Sequence, residues 1–232
     1  MLKWLPKPIY NLWRRYFGTY TLDDPRPIAK EAPYTFFIPA SFELQQIQAG
    51  DLVKLMFRSH PRGKEWDMER MWVEVTAVTS STLQGRLANT PFDMPQIKEG
   101  DSVHFERSHV ISWRTERDVE RSPEYREYWD RCMVDTCVTK ESVPVYYIYR
   151  EEPDMAQDGD KYPDSGWRIR GDYRNVSDEE LEARKQQYIA LGKVLNADDS
   201  WIHLIDSPIG SAFMKNFETG VYEPYDRVPS DD

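Results

Sequence analysis

Carboxylates, and one short run of polar residues near the C-terminus, are the side chains here best suited to chemistry. Between Glu151 and Asp164 the chain places Glu151, Glu152, Asp154, Asp158, Asp160 and Asp164 against Lys161 alone. Such a loop could ligate calcium, steer a basic partner, or simply be solvated. A calcium hand needs oxygen ligands at fixed spacing and a bidentate Glu at its twelfth position. Counted from Asp158 that position is Ile169, and from Asp154 it is Ser165, so the pattern fails both ways. His203, Asp206, Ser207 and Ser211 supply the residue types of a serine hydrolase. A nucleophile elbow reads G-x-S-x-G, because a strained turn must expose the serine. The string Ser207-Pro208-Ile209-Gly210-Ser211-Ala212-Phe213 is not that motif. It reads better as a turn begun by Asp206 and Ser207, fixed by Pro208 and given backbone freedom by Gly210. Asp93, Asp101 and Glu106 show no pairing along the chain. No Walker loop, dinucleotide fingerprint or H-E-x-x-H is present. Cys132 and Cys137 make neither a disulfide framework nor a zinc site. We therefore expect no enzyme, with no catalytic, cofactor-binding or metal-ligating residue.

Charge narrows the partner. The 232 residues carry 40 acidic and 30 basic side chains, a net charge of −10. The imbalance is local: residues 1–113 hold 14 basic and 13 acidic residues, and residues 114–232 hold 16 and 27. An acidic chain repels phosphate backbones, so nucleic acid is not an expected partner. No apolar run approaches the roughly 20 residues of a membrane-spanning helix. The N-terminus lacks the apolar core of a signal peptide, and a cytoplasmic protein is expected.

The elements that must position these residues follow from periodicity. Residues 8–17 read as an amphipathic helix with Pro8 in its first turn. Ile9, Leu12, Trp13, Tyr16 and Phe17 share one face, and Asn11, Arg14 and Arg15 lie opposite. That apolar face could rest on a membrane surface, but packing on its own domain or on a partner is preferred. Residues 19–33 read as irregular. Strands are expected over 51–58, 70–78, 82–87, 102–105 and 110–113, with a turn at Ser80-Ser81. Met71, Val73, Val75 and Ala77 should share one face. Ser122-Pro123 reads as an N-cap and first turn of a connecting helix within 114–131. Further strands are expected over 132–138, 143–149 and 167–170. Ser177 and Glu180 form a capping box for a helix to about Leu191, closed by Gly192. Asp199 or Ser200 should cap a short helix through Ile205, and the chain from Tyr222 on should fray. The class is α+β: a helix in 1–18, a small bent sheet or partly open barrel over 19–113, the connector, a mixed domain over 132–226 and a disordered tail, 227–232.

Two regions carry resemblances. From Cys132 to about Tyr222 the chain resembles a bacterial family of polymorphic-toxin immunity proteins, formerly known only as a domain of unknown function. The matching strings are Tyr147-Ile148-Tyr149-Arg150-Glu151-Glu152-Pro153-Asp154, Asp164-Ser165-Gly166-Trp167-Arg168, Gly171-Asp172, and Leu204 to Phe213 through Asp206, Ser207, Pro208, Gly210 and Ser211. The sequence departs from that pattern at Tyr173-Arg174, where an acidic residue is expected, and in the longer acidic loop at 157–163. Residues 33–113 resemble a second bacterial family of unknown function, through Met71-Trp72-Val73-Glu74-Val75, Gly85-Arg86-Leu87-Ala88-Asn89-Thr90-Pro91-Phe92, Glu99-Gly100-Asp101-Ser102-Val103 and Val110-Ile111-Ser112-Trp113. Neither family brings a catalytic residue.

The function expected is stoichiometric binding of a protein, a basic toxin or effector, with the carboxylates of 151–164 forming the contact surface. The alternative is a small-ligand protein or enzyme with a pocket around Trp167, Arg168, Asp172 and the 206–213 turn. Under that first expectation Gly166-Trp167-Arg168 is structural, a buried Trp beside a tight turn with Arg168 in an internal ion pair.

Overall fold

The computed structural model describes residues 4–80 and 82–226. The chain divides into two compact units, one of residues up to 31 with 36–124, the other of residues 32–35 with those from 125 on.

The first unit comprises α1 (Lys7–Phe17), β1 (Thr19–Leu22), α2 (Arg26–Glu31), α3 (Ser41–Gln45), β2 (Leu52–His60), β3 (Met68–Val78), β4 (Thr82–Leu87), β5 (Ser102–Glu106) and β6 (Val110–Arg114). Strands β2 to β5 form an antiparallel meander. A single 3₁₀ turn, Arg107–His109, then brings β6 back onto the first half of β2, pairing Val53 with Trp113. β1 pairs with the other half of the same edge, Leu22 opposite Phe57. The sheet thus nearly closes on itself, which leaves little unpaired edge. Strict alternation drives this: Val53, Leu55, Phe57, Met71, Val73, Val75, Leu83, Leu87, Val103 and Phe105 all turn inward into one core. A register shift between Val75 and Ala77 breaks the alternation, and Ala77 is exposed rather than aligned with Val75. Gly85 lies where the strands crowd: a Cβ there would sit 2.4 Å from the Glu74 carbonyl oxygen. Of the expected Ser80-Ser81 turn, Ser81 lies outside the described residues.

Helix α1 forms where expected, but with the opposite face inward. Tyr10 and Arg14 are buried, while Ile9, Leu12, Tyr16 and Phe17 are exposed. The cause is electrostatic. Arg14 donates to Asp93 Oδ1 at 2.9 Å, the Asp93 carbonyl at 2.6 Å and Ser59 Oγ at 2.7 Å, and both charged side chains are fully buried. A buried guanidinium must stay with its carboxylate, and this overrides the apolar periodicity.

The connecting helix expected over 114–131 does not form; residues 115–130 carry no regular structure. Ser122 is not an N-cap, because its hydroxyl donates to Glu43 Oε2 at 2.8 Å. Arg117 pairs with Asp51 at 2.5 Å, Gln46 bonds the Glu120 backbone, and Arg121 stacks on Trp113 at 4.0 Å. Side chains that hold the segment extended along its own unit outcompete local helix propensity.

The second unit comprises β7 (Arg131–Asp135), α4 (Thr136–Lys140), β8 (Val145–Arg150), β9 (Asp164–Gly171), α5 (Asp178–Glu182), β10 (Gln186–Ala190), α6 (Leu191–Ala197), β11 (Ala212–Lys215) and β12 (Tyr222–Pro224). Sheet order is β10-β7-β9-β8-β11-β12, with β7 and β9 parallel and the other pairs antiparallel. Trp167, Trp201, Val134, Ile148, Ile169 and Val194 are among the core side chains. Residues 32–35, expected in the first unit, belong here: the Tyr34 N–H bonds Asn196 Oδ1 at 2.9 Å, and the Tyr34 ring meets Tyr128 edge-on.

Several expectations fail in this unit: the strand expected over 132–138 ends at Asp135 and gives way to α4, and the 3₁₀ turn Ile202–Leu204 follows Trp201 with no side-chain cap from Asp199 or Ser200. The capping box at Ser177 holds, with its Oγ accepting from the Glu180 N–H, but the helix stops at Glu182. Residues 186–190 instead add a strand along β7, Tyr188 opposite Met133. Pairing 186–190 along β7 satisfies an edge of the sheet that a helix continued to Leu191 would leave open. Gly192 then lies inside α6 and is not a C-cap; a Cβ would meet the Tyr34 carbonyl oxygen at 2.8 Å. Finally, Tyr222 does not fray. It is buried in β12, and its hydroxyl donates to the Val145 carbonyl at 2.9 Å. The expected tail at 227–232 lies outside the described residues.

Arg14→Met strands the Asp93 carboxylate in the first unit's interior. We expect a loss of about 3–5 kcal/mol in urea unfolding, largely recovered in the double variant Arg14→Met/Asp93→Leu. A near-zero effect of the single change would show that the pair does not hold α1.

Candidate functional site

The family-motif residues of the second unit converge on β9, which lies between β7 and β8 and is buried along most of its length. Trp167 is fully buried, stands 5.6 Å from the Trp201 ring, and donates its indole N–H to the Ile205 carbonyl at 3.2 Å. Its neighbour in register is Arg150 at the end of β8. The Arg150 guanidinium donates to the Ser165 and Ser207 carbonyls at 3.1 and 2.7 Å, while its backbone takes a bond from the Gly210 N–H and gives one to the Ser211 carbonyl. The 206–213 segment is thereby pinned to the end of β8. Gly210 has φ of 92°, which only glycine adopts without strain, and Phe213 then enters β11 opposite Ile148.

Arg168 organises the acidic loop. Its guanidinium, 5% exposed, donates to Glu151 at 2.5 Å, Asp154 at 2.8 Å, and both oxygens of Asp164 at 3.0 and 2.9 Å. Three carboxylates thus converge on a fixed cation supplied by the chain itself. Gly166 between them has φ of 78°, and a Cβ there would collide with the Glu151 carbonyl oxygen at 2.2 Å. Asp160 makes a two-pronged pair with Arg131 at 2.5 and 2.7 Å. The loop's acidity, read from sequence as poorly compensated, is therefore largely neutralised internally. Glu152 and Asp158 differ: both are exposed, with no ion pair among the described residues.

The protonation states follow from this packing. Burial would raise the Asp164 carboxyl, but the Arg168 hydrogen bonds and the N–H groups of Gly166 and Met155 outweigh it and hold it below the usual carboxylate range. The hydrogen bonds that the Arg168 guanidinium donates to Asp164 push it further up. Burial raises the Cys132 thiol far above its ordinary value and raises Cys137 as well, which makes both poor nucleophiles.

The remaining candidates are scattered. Gly171 is packed against Cys137, Val138 and Val143, with its N–H on Asp135 at 3.1 Å. Asp172 lies beyond the far end of β9, where Arg174 pairs with it at 2.9 Å and stacks on Phe217 at 3.7 Å. Arg174, in the Tyr173-Arg174 stretch where the resemblance implies an acidic residue, thus neutralises Asp172. The cavity beside Trp167 is about 90 Å³, bordered by Arg126, Arg150, Ser165, Ile205 and Asp206. Neither Arg168 nor Asp172 is in the lining of that cavity. Asp206 is held by Arg126 at 2.5 and 2.6 Å, which also lowers its carboxyl, and the His203 ring packs on Tyr222. Among the described residues no hydrogen bond joins His203 to Asp206, Ser207 or Ser211. Sequence reasoning missed Arg131 and Arg150. Their signal was an arginine at a strand terminus in each of the two strands that precede an acidic loop.

Residues 132–225 match the immunity protein Imm33 domain, and residues 29–135 match DUF2314, described as an uncharacterized protein conserved in bacteria. No curated protein and no solved structure matches the chain. The C-terminal region is thus similar to an immunity-protein domain, and the N-terminal region to a bacterial domain of unknown function. Among the described residues no helix is long and apolar enough to cross a membrane.

Two measurements probe this centre. Trp167→Ala should cost about 3–5 kcal/mol in chemical denaturation, as a core cavity does; a value near zero would free Trp167 for a surface role. For Asp164, a carboxyl depressed in the folded state stabilises fully above the unfolded value of about 3.9 and loses that stability as pH falls through the folded value. The Tm of the protein should therefore drop on acidification below about pH 4, and Asp164→Asn should lower Tm at neutral pH while flattening the acid drop. Parallel pH profiles for the two proteins would contradict that assignment.

Proposed function

We propose that this is a non-catalytic cytoplasmic protein that neutralises a bacterial toxin by stoichiometric binding through acidic surface on its C-terminal unit. The observation that carries the reading is the immunity-protein domain over 132–225. Inhibition by binding needs complementary surface rather than reacting groups, and the polar residues of this unit are spent on structure. Arg126, Arg131, Arg168, Arg170, Arg174 and Arg184 are each committed to an internal ion pair. The negative charge left over stands on exposed side chains, among them Glu152, Asp158, Asp178, Glu179 and Glu182. That distribution suits a basic partner, whose encounter it would accelerate. The site residues proposed for contact remain those of the 151–164 loop, with Glu152 and Asp158 free to meet the partner and Glu151, Asp154, Asp160 and Asp164 shaping the loop that presents them.

The test begins with the full chain as bait in its native host. The captured protein is then expressed alone and together with the full chain. Growth arrest by the captured protein alone, relieved in proportion to a one-to-one complex, is the expected result. Relief at far below one equivalent would indicate an enzyme instead. With that complex in hand, Glu152→Gln/Asp158→Asn should leave Tm unchanged and slow association at low salt. The two proteins should converge near 1 M salt, where the screening length shrinks to about 3 Å. Equal rates at every ionic strength would remove these carboxylates from the interface.

A further inference from the structure

The first unit carries an anomaly that the immunity reading leaves unused. Amphipathic helices bury their apolar stripe. Helix α1 instead buries Tyr10 and Arg14, and Arg14 is locked by Asp93, Ser59 and Asn11. What it turns outward is Ile9 (54% exposed), Leu12 (57%), Tyr16 (71%) and Phe17 (73%), continued by Trp4 (78%). Trp13 bridges the stripe, stacked on Tyr10 at 6.3 Å and on Phe17 at 6.0 Å between ring centroids. Phe92 extends it, with the Lys7 ammonium 5.9 Å from its ring. Folding does not account for this surface, because the contacts that seat the helix are made by its other side.

Charge identifies what would cover it. The chain is strongly acidic, yet residues 1–22 contain Lys3, Lys7, Arg14 and Arg15 and no acidic residue at all. Of the described cations, Lys7 and Arg15 reach solvent from the helix, and Lys64 reaches in beside Tyr10, donating to the Leu5 carbonyl. Arg15 has no ion pair among the described residues, and Lys7 shares Glu65. Trp, Tyr, Phe, Leu and Ile on one side of a helix with Lys and Arg at its rim is the chemistry of the membrane–water interface. Two copies of this chain docked through α1 would set Lys7 and Arg15 against their own duplicates. Anionic headgroups would neutralise them.

We propose that α1, with Trp4, is a peripheral anchor that lays its aromatic stripe on an anionic lipid surface. The apolar side chains enter the headgroup boundary to a depth of about 5–10 Å, and the basic rim sets the preference for anionic lipid. The residues of the anchor belong to the first unit, and the acidic surface proposed for toxin binding belongs to the second. The anchor would hold the inhibitor at the cytoplasmic face of the membrane.

The test is sedimentation of the full chain with phosphatidylcholine vesicles, with and without phosphatidylserine. The protein should bind the phosphatidylserine vesicles at least about tenfold more tightly, and added salt should weaken that binding. Leu12→Ser/Phe17→Ser should reduce binding by about tenfold or more with Tm unchanged, since both side chains are exposed. Arg15→Glu, a surface change that leaves the apolar stripe intact, should remove the preference for phosphatidylserine. Failure of the unaltered chain to bind phosphatidylserine vesicles would overturn the proposal. So would binding that neither variant alters, or a dimer in solution that Leu12→Ser/Phe17→Ser converts to monomer, which would assign the stripe to a second copy.

Discussion

A guanidinium taken out of water must keep its carboxylates, and each unit of this protein is organised around one such group. Arg168 gathers Glu151, Asp154 and Asp164 at the start of β9, so a loop of mostly like charges can close on the sheet. Arg14 meets Asp93 in the first unit and decides which side of α1 faces inward. Neither arrangement is cheap, because the desolvation of two charges offsets much of their attraction. What the pairs supply is definition. A planar fork with several acceptors admits one geometry, while apolar contacts would admit several.

That economy of charge shapes what the second unit can offer a partner. Several of its arginines are spent on the loop, the β7–β9 strands and the 206–213 turn. The exposed remainder is negative by subtraction. A unit built this way presents a scaffold with exposed carboxylates, and the motif residues Gly166, Trp167, Arg168 and Gly210 serve the scaffold. Their roles are a positive φ, a filled core, a neutralised loop and a second positive φ. The motif that identifies the domain is thus mainly the motif that folds it.

The first unit obeys a different logic. Its nearly closed sheet leaves little unpaired edge and fills its interior with alternating apolar side chains. The apolar stripe of α1 is surplus to that requirement, which separates it from an ordinary amphipathic helix.

Period-two alternation made β2, β3, β4, β5 and β6 legible before any coordinates, because in a sheet with one buried face every second side chain must be apolar. The short strands β8 and β9 were legible from β-branched and aromatic content, and the buried Trp167 beside an internally paired Arg168 was also anticipated. The α+β class and the two resemblances likewise needed nothing beyond the chain. Tertiary structure alone decided the rest. The side chains of 117–122 bond to groups remote in sequence, and the expected helix gives way to them. Residues 186–190 could have continued a helix, but an open edge of β7 offered better-satisfied backbone. The acidic loop looked uncompensated because its cations, Arg131 and Arg168, come from strands outside its densest acidic stretch, and sequence distance hides Coulomb partners. Helix α1 is the clearest case: its periodicity named the apolar face correctly, but the side that turns inward was set by a carboxylate 79 positions away. Local pattern specifies what an element is, while long-range pairing of charge and backbone specifies which way it faces.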